Sequence, residues 1–206
     1  MLSKKSLEAA DRVFDWGISN LLDVWSLIYT PQFEQAVKLL STHRIWVIGM
    51  GKAGALGSKF ASSLASNGRP AAYIHAGEML HGDLGAVQRG DVLVAISNSG
   101  RTDEVIRVAT KAKMIGAKVI LLTGHSRTKL AGMADIVLCY GKIHEACSLH
   151  LTPTTSILVI LAICDALTMA VQVTVGTTVS QYSIYHHAGY LGQTARMLLR
   201  RKNKNG

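Results

Sequence analysis

Residues 44–68 carry the clearest pattern in the chain and read RIWVIGMGKAGALGSKFASSLASNG. The stretch opens with a short β-branched run, Arg44–Ile48, and passes through the glycine-rich segment Gly49–Gly54. A helix-like segment follows over Leu56–Ser66 and ends at Asn67 and Gly68. A strand, a glycine turn and a helix in this order begin a βαβ unit, in which a helix returns the chain to a parallel neighbouring strand. The pattern therefore predicts an α/β protein.

The same alternation continues through the next seventy residues. Four further strand-like runs follow, at Ala71–Ile74, Asp91–Ile96, Lys118–Leu122 and Asp135–Cys139. Helical segments separate the later runs, at Asp103–Ile115 and Arg127–Met133. Strands alternating with helices predict a doubly wound three-layer sandwich around a parallel sheet. In such folds ligands bind at the carboxyl ends of the strands, near the point where the strand order reverses.

The segment before the first strand has helical periodicity. Apolar residues recur at helical spacing over residues 3–41, and Pro31 interrupts the run. We expect residues 1–42 to form two helices that pack on a single domain of residues 43–206.

Composition restricts the class of protein. Of 206 residues, 49% are hydrophobic and 17% are charged, which excludes disorder as the main state. The three cysteines cannot form a complete disulfide framework, and the first twenty residues lack the pattern of a secretory signal. We therefore expect a cytoplasmic protein.

Two features bear on membrane and nucleic-acid partners. The apolar run Ile157–Val175 approaches the length of a membrane span, but Asp165 near its middle favours a helix buried in a core or a subunit interface.

The net charge of +9 fits a protein that binds either nucleic acid or anionic small molecules. Much of the excess is terminal, which favours a solvated end over a polyanion-binding patch; these residues are Arg196, Arg200, Arg201, Lys202 and Lys204. We expect neither a membrane nor a nucleic-acid partner.

The glycine segment after the first strand has the spacing of a dinucleotide-binding turn. Gly49, Gly51 and Gly54 fit G-x-G-x-x-G, but His75 stands where a ribose-binding acid would follow the second strand. The P-loop pattern is not satisfied either. Lys52, inside this turn, has two open interpretations: a surface or backbone-capping group, or a charge that faces the substrate.

The segment after the third strand, residues 95–104, reads AISNSGRTDE. Its small hydroxyl residues and the flexible Gly100 precede a helix, so hydroxyls and free amides converge at the positive end of the helix dipole. This pattern predicts a phosphate cradle, with an ordinary capped turn as the alternative. Glu104 alone would be an acid that favours the helix dipole.

Further polar residues lie outside these two turns. Thr154, Thr155 and Ser156 crowd the start of the long apolar helix. His186 precedes a second histidine and a glycine, and chemistry alone leaves it between a structural and a catalytic role. The spacing of Cys139, His144, Cys147 and His150 matches no compact zinc motif, so we expect no metal.

Together these segments resemble the sugar isomerase (SIS) domain, and within it the arabinose 5-phosphate isomerase family. The resemblance runs from about Ile45 to Leu199 and rests on six segments: Gly49–Gly54, His75–Gly85, Ile96–Gly100, Glu145–Cys147, Pro153–Ser156 and Asp165–Leu167. It implies a five-stranded parallel sheet, a phosphosugar bound at its carboxyl edge, and a homotetramer with sites shared between subunits. The resemblance is to members without C-terminal CBS modules, since the sequence ends at Gly206 before any such module.

The resemblance also assigns roles. It implies four catalytic residues, Lys52, Glu104, Glu145 and His186, and a set of substrate-binding residues: Gly51, His75, His81, Ser97, Asn98, Ser99, Gly100, Thr102, Thr154, Thr155 and Ser156. The implied activity is aldose-ketose isomerisation of a phosphosugar, with D-arabinose 5-phosphate and D-ribulose 5-phosphate as the favoured pair and no cofactor. The alternatives are 6-phospho-3-hexuloisomerase, another SIS isomerase, or a non-catalytic phosphosugar sensor. Around His186 the family pattern is altered, so His187 is a second candidate.

Overall fold

A computed structural model describes residues 1–202 as an α/β sandwich around a five-stranded sheet. The strands are β1 (Ile45–Gly49), β2 (Ala71–Tyr73), β3 (Val92–Ile96), β4 (Lys118–Thr123) and β5 (Ile136–Cys139). All pairs are parallel, and the order is β2-β1-β3-β4-β5. The predicted fold class is confirmed, and each predicted strand matches an observed one to within one residue at either end.

Helices cover both faces of the sheet. They are α1 (Lys4–Val24), α2 (Pro31–Thr42), α3 (Gly51–Ser66), α4 (Ala76–Met79), α5 (Asp103–Ile115), α6 (Lys129–Met133), α7 (Thr155–Val175), α8 (Val179–Tyr185) and α9 (Gly189–Lys202). The bounds of α5 are those predicted from the sequence. The short helices α4 and α8 were not predicted, although Thr178 and Gln181 form a capping box at the start of α8 that the sequence shows as T-x-x-Q.

The sheet separates two hydrophobic cores, one on each of its faces. In β3, Val92, Val94 and Ile96 face the core that holds α2, α3 and α7, whereas Leu93 and Ala95 face the core that holds α5. Because side chains alternate along a strand, a sheet covered on both faces requires apolar residues at every position. All five residues of β3 are buried accordingly.

Helix α3 begins earlier than the sequence indicated, inside the glycine motif. A Cβ on Gly54 would lie 2.5 Å from the hydroxyl of Tyr73 and 2.9 Å from the backbone oxygen of Gly49. This glycine therefore allows α3 to pack closely on β1 and β2. Gly51, with φ of +57°, lets the backbone turn from the strand into the helix.

Helix α7 lies within the protein on one side of the sheet. Within the described residues it is the one helix long and apolar enough to cross a membrane by length and composition. It packs against α1, α2 and α3, and its Asp165 forms an ion pair with Lys59 of α3. This packing agrees with its interpretation as a core helix.

The basic residues near the C-terminus lie at the end of α9. Arg200, Arg201 and Lys202 lie in its last turn, where positive charge favours the helix dipole. Lys204 lies outside the described residues.

Candidate functional site

A crevice opens at the carboxyl edge of the sheet between β1 and β3. Helix α3, which follows β1, covers one face of the sheet, and α5, which follows β3, covers the other. The loops after these adjacent strands therefore diverge, as at the switch point of other doubly wound sheets. A cavity of about 230 Å³ lies there, lined by Met50, Lys52, Ala53, Ile96, Ser97, Asn98, Ser99, Thr102, Pro153, Ser156, Ile157 and Ile160.

Larger cavities lie elsewhere. One of about 270 Å³ lies between α7, α8 and α9, one of about 540 Å³ lies beside α4 and α5, and one of about 440 Å³ lies along α1. None of these is lined by a residue of the loop between β3 and α5. The crevice is therefore the site where the predicted chemistry converges.

The loop after β3 presents hydroxyls to this cavity. The Oγ of Ser97 and the Oγ1 of Thr102 are hydrogen-bonded at 3.1 Å across the loop. The Oγ of Ser99 accepts from the backbone N–H of Arg101 at 3.2 Å, so its own proton is left to donate. Gly100 adopts φ of +63° and lies so close to Thr128 that a Cβ would be 2.7 Å from its Oγ1. The geometry suits an anion bound at the start of α5.

Lys52 is the second residue of α3 and lines the cavity from the side of β1. Its side chain is exposed, and no carboxylate of the described residues forms an ion pair with it. The ammonium is thus available to a negative ligand.

Glu145 lies in the loop before α7 and caps the start of that helix. Its Oε2 accepts from Thr154 N at 2.7 Å, Thr154 Oγ1 at 3.1 Å and Ser156 N at 3.3 Å. Because Ser156 lines the cavity, the carboxylate lies at the cavity edge, with its hydrogen bonds concentrated on one oxygen. The other oxygen, Oε1, is left for a ligand.

The three hydroxyl side chains at the start of α7 lie in different environments. Thr154 is engaged by Glu145 and also accepts from Ala146 N at 2.9 Å. Thr155 is fully buried, and its hydroxyl has no hydrogen-bond partner among the described residues. Of the three, only Ser156 lines the cavity.

Several of the candidate residues lie outside the cavity lining. These are Gly51, His75, His81, Gly100, Glu104, Glu145, Thr154, Thr155 and His186. His75 caps α4, with its Nδ1 accepting from Gly77 N at 3.3 Å, and His81 is exposed on the turn that follows. Glu104 is half-buried in the first turn of α5, close to the hydroxyls of the loop after β3.

His186 lies near the C-terminal end of α3, whereas Lys52 lies at the start of that helix. Its ring stacks on Tyr182 with centroids 3.9 Å apart, and its Nδ1 lies 3.1 Å from the backbone oxygen of Tyr182. The preceding Tyr185 packs on Gly68, just after the end of α3, whereas Lys52 begins that helix. A helix of this length spans about 24 Å. One chain alone therefore does not bring His186 to the cavity.

Sequence reasoning did not single out Tyr140. This residue follows β5 directly, at the same edge of the sheet, and its hydroxyl donates to Asn98 Oδ1 at 2.8 Å. Its position after a strand in a doubly wound sheet was the signal that could have found it.

Cys147 lies two residues after Glu145 and is partly exposed. Hydrogen bonds from the Thr152 side chain, and then from the backbone N–H groups of Thr152, Leu149 and Leu151, lower the pKa of Cys147 to about 6. The thiolate form of Cys147 is therefore favoured more than in an ordinary cysteine. Across residues 1–202, no group of three or more His, Cys, Asp or Glu side chains is placed to hold a metal ion.

Known proteins are similar to this chain in sequence and in fold. The arabinose 5-phosphate isomerase KdsD of Pseudomonas aeruginosa is 39% identical over 170 residues, 82% of this chain and 52% of the relative. The enzyme of the same name from Escherichia coli K12 is 40% identical over 157 residues, 76% of this chain and 47% of the relative. The chain thus spans about half the length of these curated relatives.

A solved structure also matches closely. An Escherichia coli CFT073 protein in complex with arabinose 5-phosphate superposes with a TM-score of 0.81 at 29% identity, covering 90% of this chain and 100% of that one. The model of the SIS domain matches residues 38–170, more than half of the chain. Together with the doubly wound sheet and the hydroxyl-lined loop at its switch point, this match shows that the chain belongs to the SIS domain family.

Proposed function

We propose that the chain is an aldose-ketose isomerase that interconverts D-arabinose 5-phosphate and D-ribulose 5-phosphate. The observation that carries the proposal is the crevice between β1 and β3, in which Lys52, the hydroxyl loop after β3 and the start of α7 with Glu145 meet. The names of the relatives and the arabinose 5-phosphate complex of the superposed protein support the choice of substrate.

The phosphate is the anchor in this proposal. Ser97, Asn98, Ser99, Gly100 and Thr102 hold it, because their hydroxyls, amide and backbone N–H groups surround the positive end of α5. The bound phosphate positions C1 and C2 of the open-chain sugar for proton transfer.

The reaction moves one proton between two carbons and a second proton between two oxygens. Glu145 removes the proton from C2 of the aldose, which leaves an enediolate, and returns it to C1 while the proton on O2 passes to O1, which gives the ketose. Lys52 stabilises the negative oxygen of the enediolate. Glu104 orients a hydroxyl or the lysine, and the route needs no cofactor or metal.

His186 has to come from a second copy to act in this reaction. We propose a homotetramer with sites shared between subunits, in which His186 of a neighbouring copy assists ring opening or proton transfer between oxygens. The separation of His186 from Lys52 within one chain supports this arrangement. We also propose that residues 1–42 form helices attached to a phosphosugar-binding domain of residues 43–206, in the cytoplasm.

One screen tests the activity. The purified protein is incubated in D₂O with pentose and hexose phosphates, and deuterium incorporation next to the carbonyl is measured by NMR. The expected result is exchange with arabinose 5-phosphate and ribulose 5-phosphate. Exchange only with a hexulose 6-phosphate would favour a hexuloisomerase, and binding without exchange would favour a phosphosugar sensor.

A further inference from the structure

Tyr140 is held in the core with its hydroxyl directed at Asn98. The side chain is buried, and the backbone N–H donates to Thr123 O at 3.1 Å. The hydroxyl donates to Asn98 Oδ1 at 2.8 Å. Burial raises the pKa of Tyr140 well above its ordinary value, so the phenol keeps its proton and remains a hydrogen-bond donor.

Asn98 is held by other contacts on the same side. Its backbone oxygen accepts from Gly124 N at 3.0 Å and from Thr123 Oγ1 at 3.2 Å, and it lies 3.1 Å from His125 Nδ1. Gly124 also leaves room for the amide, since a Cβ there would be 2.8 Å from Asn98 Oδ1. The oxygen end of the amide is therefore enclosed between β4 and β5.

This enclosure determines which group Asn98 presents to the cavity. A carboxamide has an oxygen acceptor on one branch and an NH₂ donor on the other. With Oδ1 directed at Tyr140, the Nδ2 donors are left for the cavity that Asn98 lines. The hydroxyls of Ser97, Ser99 and Thr102 can donate or accept, whereas a fixed Nδ2 can only donate.

We propose that Tyr140 is a positioning residue, which fixes the Asn98 amide so that Nδ2 donates to the phosphate of the bound phosphosugar. This inference rests on the proposed function. It explains why the site would prefer a ligand group that only accepts hydrogen bonds. Without the Tyr140 hydroxyl the amide is free to rotate, and its oxygen can then face the phosphate and repel it.

Tyr140→Phe tests the proposal by removing the hydroxyl alone. The dissociation constant for arabinose 5-phosphate, measured by calorimetry, is expected to rise about 10-fold, with KM rising in parallel and kcat changing less than about 2-fold. In the Asn98→Ala background the same substitution is expected to change the dissociation constant less than about 2-fold, because Tyr140 then has no amide to orient.

Tyr73→Phe is the matched control. Its hydroxyl also makes one hydrogen bond at this edge of the sheet, to Gly49 O at 3.2 Å, and Gly49 does not line the cavity. We expect the dissociation constant of Tyr73→Phe for arabinose 5-phosphate to stay within about 2-fold of the wild-type value. An equal rise in Tyr73→Phe would show that any lost hydroxyl loosens this edge and would overturn the positioning role.

The remaining outcomes separate this inference from the proposed function. Wild-type protein that binds no phosphosugar overturns the proposed function. Wild-type binding with an unchanged constant in Tyr140→Phe, or an effect that persists in Asn98→Ala, overturns the role of Tyr140. If Tyr140→Phe does not fold, Asn98→Ala alone tests the donor that Tyr140 is proposed to orient. The proposal then requires weaker binding of arabinose 5-phosphate in Asn98→Ala, and an unchanged dissociation constant rejects it.

Discussion

Ser99 has the simplest proposed role in the loop between β3 and α5. Its Oγ accepts from Arg101 N, and the side chain is exposed at the mouth of the cavity. We predict that Ser99→Ala weakens binding of arabinose 5-phosphate by about 1 to 3 kcal/mol, because a hydrogen bond to a charged group is lost. Calorimetry measures the change, with Ser126→Ala as an exposed control outside the cavity lining. Unchanged affinity in Ser99→Ala would reject the loop as the phosphate site.

Glu145 combines a structural and a proposed chemical role in one side chain. Its three hydrogen bonds all reach Oε2, and the amide oxygen of glutamine can accept the same three. We therefore predict that Glu145→Gln keeps the fold and the affinity for substrate but abolishes deuterium exchange, because an amide cannot carry the proton. NMR in D₂O measures the exchange, and the exposed Glu78→Gln serves as control. Exchange near the wild-type rate would move the role to another group.

At the scale of the elements, Asp91 joins the starts of β1 and β3. Its carboxylate accepts from Arg44 at 2.8 Å, Trp46 Nε1 at 2.8 Å and Gln88 N at 2.9 Å. Burial by itself raises the pKa of Asp91, but these hydrogen bonds outweigh it and leave the pKa below the ordinary 3.8. The charged form is thus favoured by folding, so its contribution to stability is present above pH 3.8 and is lost as pH falls through the lower folded-state value.

We predict that Asp91→Asn lowers the free energy of unfolding at neutral pH by about 1 to 3 kcal/mol. The difference from the wild type should shrink as the pH falls below 3.8, and urea unfolding at several pH values measures it. Asp103→Asn is the control, because its pair with Arg107 is 3.9 Å long and exposed, and such pairs contribute about 0 to 1 kcal/mol. A difference for Asp91→Asn that stays constant with pH would contradict the prediction.

At the scale of the whole molecule, apolar side chains stay exposed on two helices. Helices α1, α2 and α3 of the same chain cover part of α7, but Met169 and Val173 of α7 remain exposed. The exposed apolar side chains include a stripe along the first helix and the turn after it: Leu7, Phe14, Ile18, Leu22, Trp25 and Tyr29. Such patches on a folded surface are typical of subunit contacts. Sedimentation of an active monomer would contradict the proposed assembly.

Subunit exchange tests whether sites are shared. We predict that His186→Ala lowers turnover by about 10² to 10⁴-fold with little change in melting temperature, whereas His187→Ala is mild. Mixing inactive His186→Ala with inactive Glu145→Gln should restore activity, because hybrid assemblies contain sites with both groups intact. Exchange of subunits without restored activity would reject the shared site. A larger loss of turnover in His187→Ala would move the role to that residue.

Local patterns in the sequence determined the five strands, the helices that alternate with them and the turn after β3. These features depend on the period of the apolar side chains and on glycine and hydroxyl residues at the ends of strands. Both signals come from residues that are close together in the sequence. The bounds of α5 follow directly from Thr102 before it and Gly116, with φ of +101°, after it. The short helix α8 left a weaker signal because it has only seven residues.

Long-range packing determined which of the candidate residues lie close together. Glu145 meets the start of α7, and Tyr140 meets Asn98 across 42 residues of sequence. His186 lies at the far end of α3 from Lys52. No periodicity in the chain encodes such distances, because they arise from how the helices fold back over the sheet. The sequence alone therefore predicted which chemical groups the protein has, whereas the tertiary structure showed which of them meet within one chain.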